Sequence, residues 1–411
     1  MKTLPINFLL SYSSTFAGFL IILLLARVLG AENFSWVALG LAIGGFIVPL
    51  FNLGSDRTFV RDAVARSQTD LIDEMVLANL SPRLLMVIPI MVILICFTLF
   101  FTDVMKDAIP LIGFSLWAGL IGLYPASWFD YSHDVRRQNL IVLSERAVSL
   151  LLIYGLYTYT SDSWGILAVG TCLLAVRSFS IFLQIRSWWV HHASMAFRIH
   201  FTLPKQNTNG INWHITIATV ANAFLTYGNQ LLLAANNNPI ELSSYSLAFQ
   251  IIMIVFLFQG QAIRISSRSI AEACRSKKAL LHSIANNSAI LFVGSTILAF
   301  GAWAAIQFLP YILTDPRFAT MSKIAIPLCI WVVVGGVGLS ISQHSLVLSQ
   351  ERFLLFTAIA GGIIALFLGS LFIPDYVALA VAVILLIVHC FMILVNTIWL
   401  FHTIKTQEVW A

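Results

Sequence analysis

Runs of about 20 apolar residues, enough to cross the hydrocarbon core of a bilayer as a helix, recur from one end of this 411-residue chain to the other. No hydrophilic stretch between them is long enough to fold as a separate domain. A chain of this length would ordinarily form about two or three soluble domains, but the composition argues otherwise. Apolar residues make up 59% and charged residues only 10%, where a soluble domain is roughly a quarter charged. The mean hydropathy is +0.90. The expected fold class is an all-α polytopic membrane protein, with about twelve transmembrane helices in two six-helix halves around a central cavity.

The expected spans are 5–29, 34–54, 82–101, 108–129, 140–159, 163–183, 211–235, 240–262, 284–308, 319–342, 352–373 and 376–401. Two connections are very short, Gly30-Ala31-Glu32-Asn33 and Pro374-Asp375. The stretch from Pro5 to Leu29 is too long for the apolar region of a cleaved signal and reads as a first span. The five cysteines are scattered, with no CxxC, so neither a disulfide framework nor a zinc site is indicated.

Charge placement sets the expected orientation. There are 23 basic and 18 acidic residues. A basic balance in a soluble chain would raise nucleic-acid binding; here it follows the excess of Lys and Arg in cytoplasmic loops. Connections on the side of the termini carry most of the basic residues, among them Arg57, Arg61, Arg136, Arg137, Arg264, Arg268, Lys277 and Lys405. The opposite side holds only Arg27, Lys106, Arg317 and Lys323, and Arg177 lies within a span. Both termini are therefore expected in the cytoplasm, with no nucleic-acid partner. The run Trp188-Trp189-Val190-His191-His192 reads as an interfacial aromatic anchor.

The longest inner connection, Arg186 to Gly210, divides the chain into an N-terminal half, 1–205, and a C-terminal half, 206–411. Arg57 and Arg61 follow the second span as Arg264 and Arg268 follow the eighth. Both pairs are spaced i,i+4, and the offset is 207 residues. Transporters built from two similar halves place their sites between the repeats, although two unrelated positive-inside loops would look the same.

Several enzyme classes are disfavoured. There is no G-x-x-x-x-G-K-[ST] and no H-E-x-x-H, so no cofactor or metal is expected. The outer loops are too short to hold a sugar donor, so the chain is not expected to be an enzyme. Polar residues within spans are the informative minority, because a charge at the bilayer centre is costly and normally faces a cavity or partner. The first span carries Ser11, Ser13, Ser14, Thr15 and Arg27; the seventh His214, Asn222, Thr226, Tyr227, Asn229 and Gln230; the eighth Gln250, Gln259 and Gln261.

The candidate substrate-binding residues are Arg27, Arg57, Arg61, Arg264, Arg268, Asn222, Asn229, Gln230 and Gln250. Plainer roles stay open: serines bonded to backbone, Arg27 snorkelling to headgroups, and the paired arginines holding anionic lipid. No Asp or Glu is expected in the middle of a span, Glu145 lying at the inner end of the fifth. That favours a neutral to positive cavity and an anionic substrate, since arginine binds phosphate bidentately.

The stretch Ala26-Arg27-Val28-Leu29-Gly30-Ala31-Glu32-Asn33-Phe34 resembles the A-R-x-L-G-x-x-x-[FY] signature of bacterial polysaccharide exporters. Pro125-Ala-Ser-Trp128-Phe129 looks like their P-x-W-[FY]-Q-G segment displaced by one residue, with Asp130 and Tyr131 where the family often has Gln and Gly. These are the O-antigen flippases of the multidrug/oligosaccharidyl-lipid/polysaccharide exporter superfamily. The resemblance implies a flippase carrying an undecaprenyl-pyrophosphate-linked oligosaccharide from the cytoplasmic to the periplasmic leaflet of the bacterial inner membrane. Membrane lipids, a glycan polymerase and chain-length machinery would be its partners in lipopolysaccharide assembly. It also implies a place for Arg27 on the cavity wall near the outer gate. A proton- or sodium-coupled small-molecule exporter of the same superfamily is the alternative, and an integral-membrane glycan polymerase or ligase the second.

Overall fold

In the computed structural model the described residues are 4–54, 76, 79–101, 105–132, 134–159, 164–192, 213–236, 238–273, 276–348 and 350–406. They are helical almost throughout, with no strand among them. The helices are α1 (Leu4–Asn52), α2 (Val87–Phe101), α3 (Met105–Gly119), α4 (Ala126–Tyr131), α5 (Val135–Tyr159), α6 (Trp164–His192) and α7 (Trp213–Ala223). They continue as α8 (Asn229–Ala235), α9 (Pro239–Ala273), α10 (Lys277–Leu313), α11 (Met321–Val347) and α12 (Glu351–Thr406). Nine helical stretches among the described residues are long and apolar enough to cross a membrane.

Two helices are too long for one crossing, and each contains a break. α1, with 49 residues, breaks at Gly30, whose φ of 70° and ψ of 170° suit only a residue without a Cβ. α12, with 56 residues, breaks at Val377, where φ is 50°. Each break falls at or just after a short connection read from the sequence. The expected span 211–235 is divided differently. A π-helical turn, Phe224–Gly228, separates α7 from α8.

The chain separates into two compact units, Met1–Val220 and Ala221–Ala411. The expected division at 205/206 lies outside the described residues. In unit 1 the second part of α1 packs on α3 because Gly40 and Gly44 let the backbones approach. A Cβ at Gly40 would lie 2.5 Å from that of Phe114, and one at Gly44 2.3 Å from that of Ala118. Small residues four apart are the usual device for close helix contact in lipid.

Trp128, Phe129, Trp188, Val76 and Leu80 form a buried cluster in the same unit. Trp188 is 1% exposed and lies edge-on to Trp128 at 5.6 Å. The expectation of an interfacial anchor is therefore corrected at Trp188, which is core. A whole indole body gains more from burial against another aromatic than from a place at the headgroups. In unit 2, α9, α10, α11 and α12 pack together around Phe249, Phe256 and Trp331. The large exposed side chains are apolar, for example Leu151, Phe179, Phe300 and Phe367, as surfaces that meet lipid tails require.

Candidate functional site

α5 begins at Val135, earlier than the apolar run at 140, because Arg137 pairs with Asp134 at 3.1 Å and its charged first turn is helical. Glu145 is thereby carried well into the helix, which corrects its expected place at the inner end of the span. A hydropathy window trims polar helix ends, and here it trimmed more than one turn. Among the described residues Glu145 is the one carboxylate set deep in a spanning helix.

Glu145 is the centre of a polar network in unit 1. Its Oε1 accepts from Arg177 Nε at 2.8 Å, and its Oε2 accepts from the Tyr124 hydroxyl. Arg177 reaches in from α6 and donates through Nη1 to the Trp117 carbonyl at 2.8 Å. Trp117 lies in the last turn of α3, where carbonyls have no partner within the helix. The Arg177 guanidinium also stands 4.9 Å from the centre of the Trp117 ring, a cation–π geometry. Both members of the ion pair are buried, at 3% and 4% exposure.

Two further arginines belong to this region. Arg83 is buried, with Nη1 3.5 Å from the carbonyls of Gly122 and Tyr124. Arg146, next to Glu145, turns toward α1 and donates to the Ser14 carbonyl. Ser14 itself is buried. Sequence reading had marked Ser14 for its hydroxyl, but its carbonyl is what meets the arginine. The missed residues are Tyr124, Glu145, Arg146 and Arg177. Two of them carried a signal, since Arg177 and Glu145 are opposite charges in successive spans.

The expected site residues fall as follows. Arg27 is exposed, one turn before the break at Gly30. Arg57 and Arg61 lie outside the described residues. Arg264 and Arg268 lie one turn apart late in α9, with side chains outside those described. In unit 2, Asn222 is exposed on α7, Gln250 is half-buried on α9, and Asn229 and Gln230 are buried in the first turn of α8. Gln230 Nε2 lies 3.5 Å from the Thr226 carbonyl. The Asn229 amide packs against α12 at Gly369, where a Cβ would stand 2.2 Å from Oδ1.

Gln259 is wholly buried and bonds Ser295 Oγ at 2.8 Å and the Val332 carbonyl at 2.7 Å. His344 meets Ser283 at 3.1 Å. These bonds tie α9, α10 and α11 together, the usual work of polar side chains between helices in lipid. Among the described residues no group of His, Cys, Asp or Glu could hold a metal ion.

Apolar helices, charges buried only in pairs or on carbonyls, and two helical units define a multi-pass membrane transporter fold. Solved structures agree. An inward-facing multidrug resistance MATE family transporter of the MOP superfamily is 12% identical, with a TM-score of 0.71 and 96% of each chain covered. The lipid II flippase MurJ in an inward closed conformation is 14% identical, with a TM-score of 0.58 over 98% of this chain and 87% of that one. A MOP superfamily transporter from Pyrococcus furiosus, described by the reverse polarity of its binding pocket, is 12% identical, with a TM-score of 0.58 and 95% of each covered. No curated protein sequence matches. The family model described as polysaccharide biosynthesis protein matches residues 5–270. The chain belongs to that family and is a polysaccharide flippase of the MOP superfamily.

Proposed function

We propose that the protein moves an undecaprenyl-pyrophosphate-linked oligosaccharide, an O-antigen or related surface-glycan repeat unit, across a bacterial inner membrane. Transport runs from the cytoplasmic to the periplasmic leaflet by alternating access, with both termini cytoplasmic and no covalent step. The observation that carries this reading is the match of residues 5–270 to a polysaccharide biosynthesis family. The likeness of fold to a lipid II flippase supports it. The glycan and pyrophosphate pass through a polar cavity while the polyprenyl tail stays in lipid. Arg27 holds the anionic group late in passage, Arg57, Arg61, Arg264 and Arg268 capture it early, and Asn222, Asn229, Gln230 and Gln250 serve the sugar. A glycan polymerase and chain-length machinery act on the delivered unit.

The second reading is a cation-coupled exporter of small molecules, favoured by the likeness to a multidrug resistance transporter. Against it, Glu145 already accepts from Arg177 and Tyr124, which leaves that carboxylate little capacity for a coupling cation. The deciding experiment places the purified protein in liposomes with a labelled undecaprenyl-pyrophosphate oligosaccharide and follows access of an impermeant reagent to the label. Flipping without bond breakage supports the proposal. Export of a cationic drug under an ion gradient with no lipid flipping selects the second reading, and growth of the glycan chain would select a polymerase or ligase. In the same assay, Gln at both Arg57 and Arg61, or at both Arg264 and Arg268, should slow flipping while insertion stays normal. Full activity in both double variants would reduce these residues to topology determinants.

A further inference from the structure

The polar network of unit 1 holds one more positive charge than negative. Arg177 and Glu145 satisfy each other: Glu145 accepts on both oxygens, and Arg177 adds the Trp117 carbonyl and ring face. Arg146 is the surplus. Among the described residues no carboxylate forms a salt bridge with it. One of its five N–H donors reaches the Ser14 carbonyl, and its Nε is shut off from solvent with no acceptor. A charge in such surroundings is costly unless something of opposite sign joins it.

α1 is shaped to keep the guanidinium where it is. Gly18 lies one turn after Ser14 on the same face, and a Cβ there would stand 2.8 Å from Arg146 Nη1 and 3.0 Å from Cζ. The glycine therefore leaves room for a cation rather than for a helix contact. The side chain is only half-buried, so a ligand can reach it. Its position in α5 is about 16 Å from the helix start, and Arg27 stands about 20 Å along α1 from Ser14, at 1.5 Å per residue. The two arginines thus sit at different depths.

We infer that Arg146, seated on Ser14 and Gly18, is the anchor of an anion-binding site inside unit 1 whose ligand is a phosphate or pyrophosphate group. The planar fork of a guanidinium matches two phosphate oxygens at once, and the fixed Glu145–Arg177–Tyr124 cluster keeps Arg146 from being neutralised internally. Naming phosphate rather than another anion rests on the proposed function. The group comes from the lipid-linked substrate in mid-passage or from free phosphate in the cavity, and the two sources are separable.

The test measures binding of radiolabelled inorganic pyrophosphate, and of undecaprenyl pyrophosphate without glycan, to the full-length protein in phosphatidylcholine nanodiscs. Wild-type protein should bind, and Arg146→Gln should weaken binding about tenfold or more, with Arg146→Lys intermediate. Gly18→Ala crowds the guanidinium while leaving every charge in place, and should weaken binding several-fold; it serves if Arg146→Gln does not fold. Tighter binding of undecaprenyl pyrophosphate than of inorganic pyrophosphate supports the lipid-linked source, and equal binding supports free phosphate. Unchanged affinity in folded Arg146→Gln, or in folded Gly18→Ala where the first variant fails, overturns the site. Flipping of the lipid-linked oligosaccharide is measured in parallel. A protein that binds through Arg146 and flips nothing keeps the site and loses the transport reading. One that flips while binding ignores Arg146 keeps the transport reading and loses the site.

Discussion

Removing one member of the Glu145–Arg177 pair leaves the other charged in a place water does not reach. Loss of a buried partner costs about 3–5 kcal/mol, and with both side chains almost wholly buried solvent gives little relief. Glu145→Gln should therefore lower the melting temperature of the detergent-purified protein by many degrees. The double variant Glu145→Leu with Arg177→Met should lose much less, since it removes both charges together. A Glu145→Gln protein as stable as wild type would show that the pair is not held as described. Arg27 behaves differently because it is exposed. If it serves the substrate, Arg27→Ala should fail to complement a flippase-deficient strain at normal protein level, and Arg27→Lys should be partly active, keeping charge without the bidentate fork. Snorkelling predicts near-normal activity for both Lys and Gln. At this scale the sequence was least legible. Nothing in the spacing of Tyr124, Glu145, Arg146 and Arg177 shows that three helices and a turn bring them together, and a hydropathy window places Glu145 at a helix end it does not occupy.

Gly40 and Gly44 decide how closely α1 and α3 approach. Gly44→Leu would force a side chain into the space of Ala118, at a cost of roughly 1–3 kcal/mol for overpacking and more where the backbones must part. The measurement is monodispersity and melting temperature of the purified variant, with Gly155→Leu as the control, since a Cβ at Gly155 meets nothing within 4 Å. Equal behaviour of the two would remove the packing argument. Elements were the most legible level. The breaks in α1 and α12 fall where Gly30 and Pro374-Asp375 interrupt apolar runs, because turn residues announce themselves locally. The π turn did not. In an unbroken α-helix, Asn222 and Asn229, seven residues apart, would share a face to within about 20°. Here Asn222 is exposed and Asn229 wholly buried, since the wider turn between them rotates all that follows.

For the whole molecule, composition alone specified helices in lipid, and the arginine and lysine bias gave each connection a side. That bias yields a sharp test. With about twelve crossings, a topology reporter fused after Asn236 should report the outside and one fused after Lys405 the inside. The same side for both would overturn the span count. The assignment of polar residues to a shared cavity was less legible, because a polar side chain in a span serves packing as readily as passage, as Gln259 and His344 do in unit 2. Across its relatives, the π turn at Phe224–Gly228 acts as an inserted residue. A homologue with an unbroken helix there aligns with this chain only across a one-residue gap. Without that gap, each position of α8 is matched to one about 100° round the helix, and Asn229 is set beside residues it never resembles.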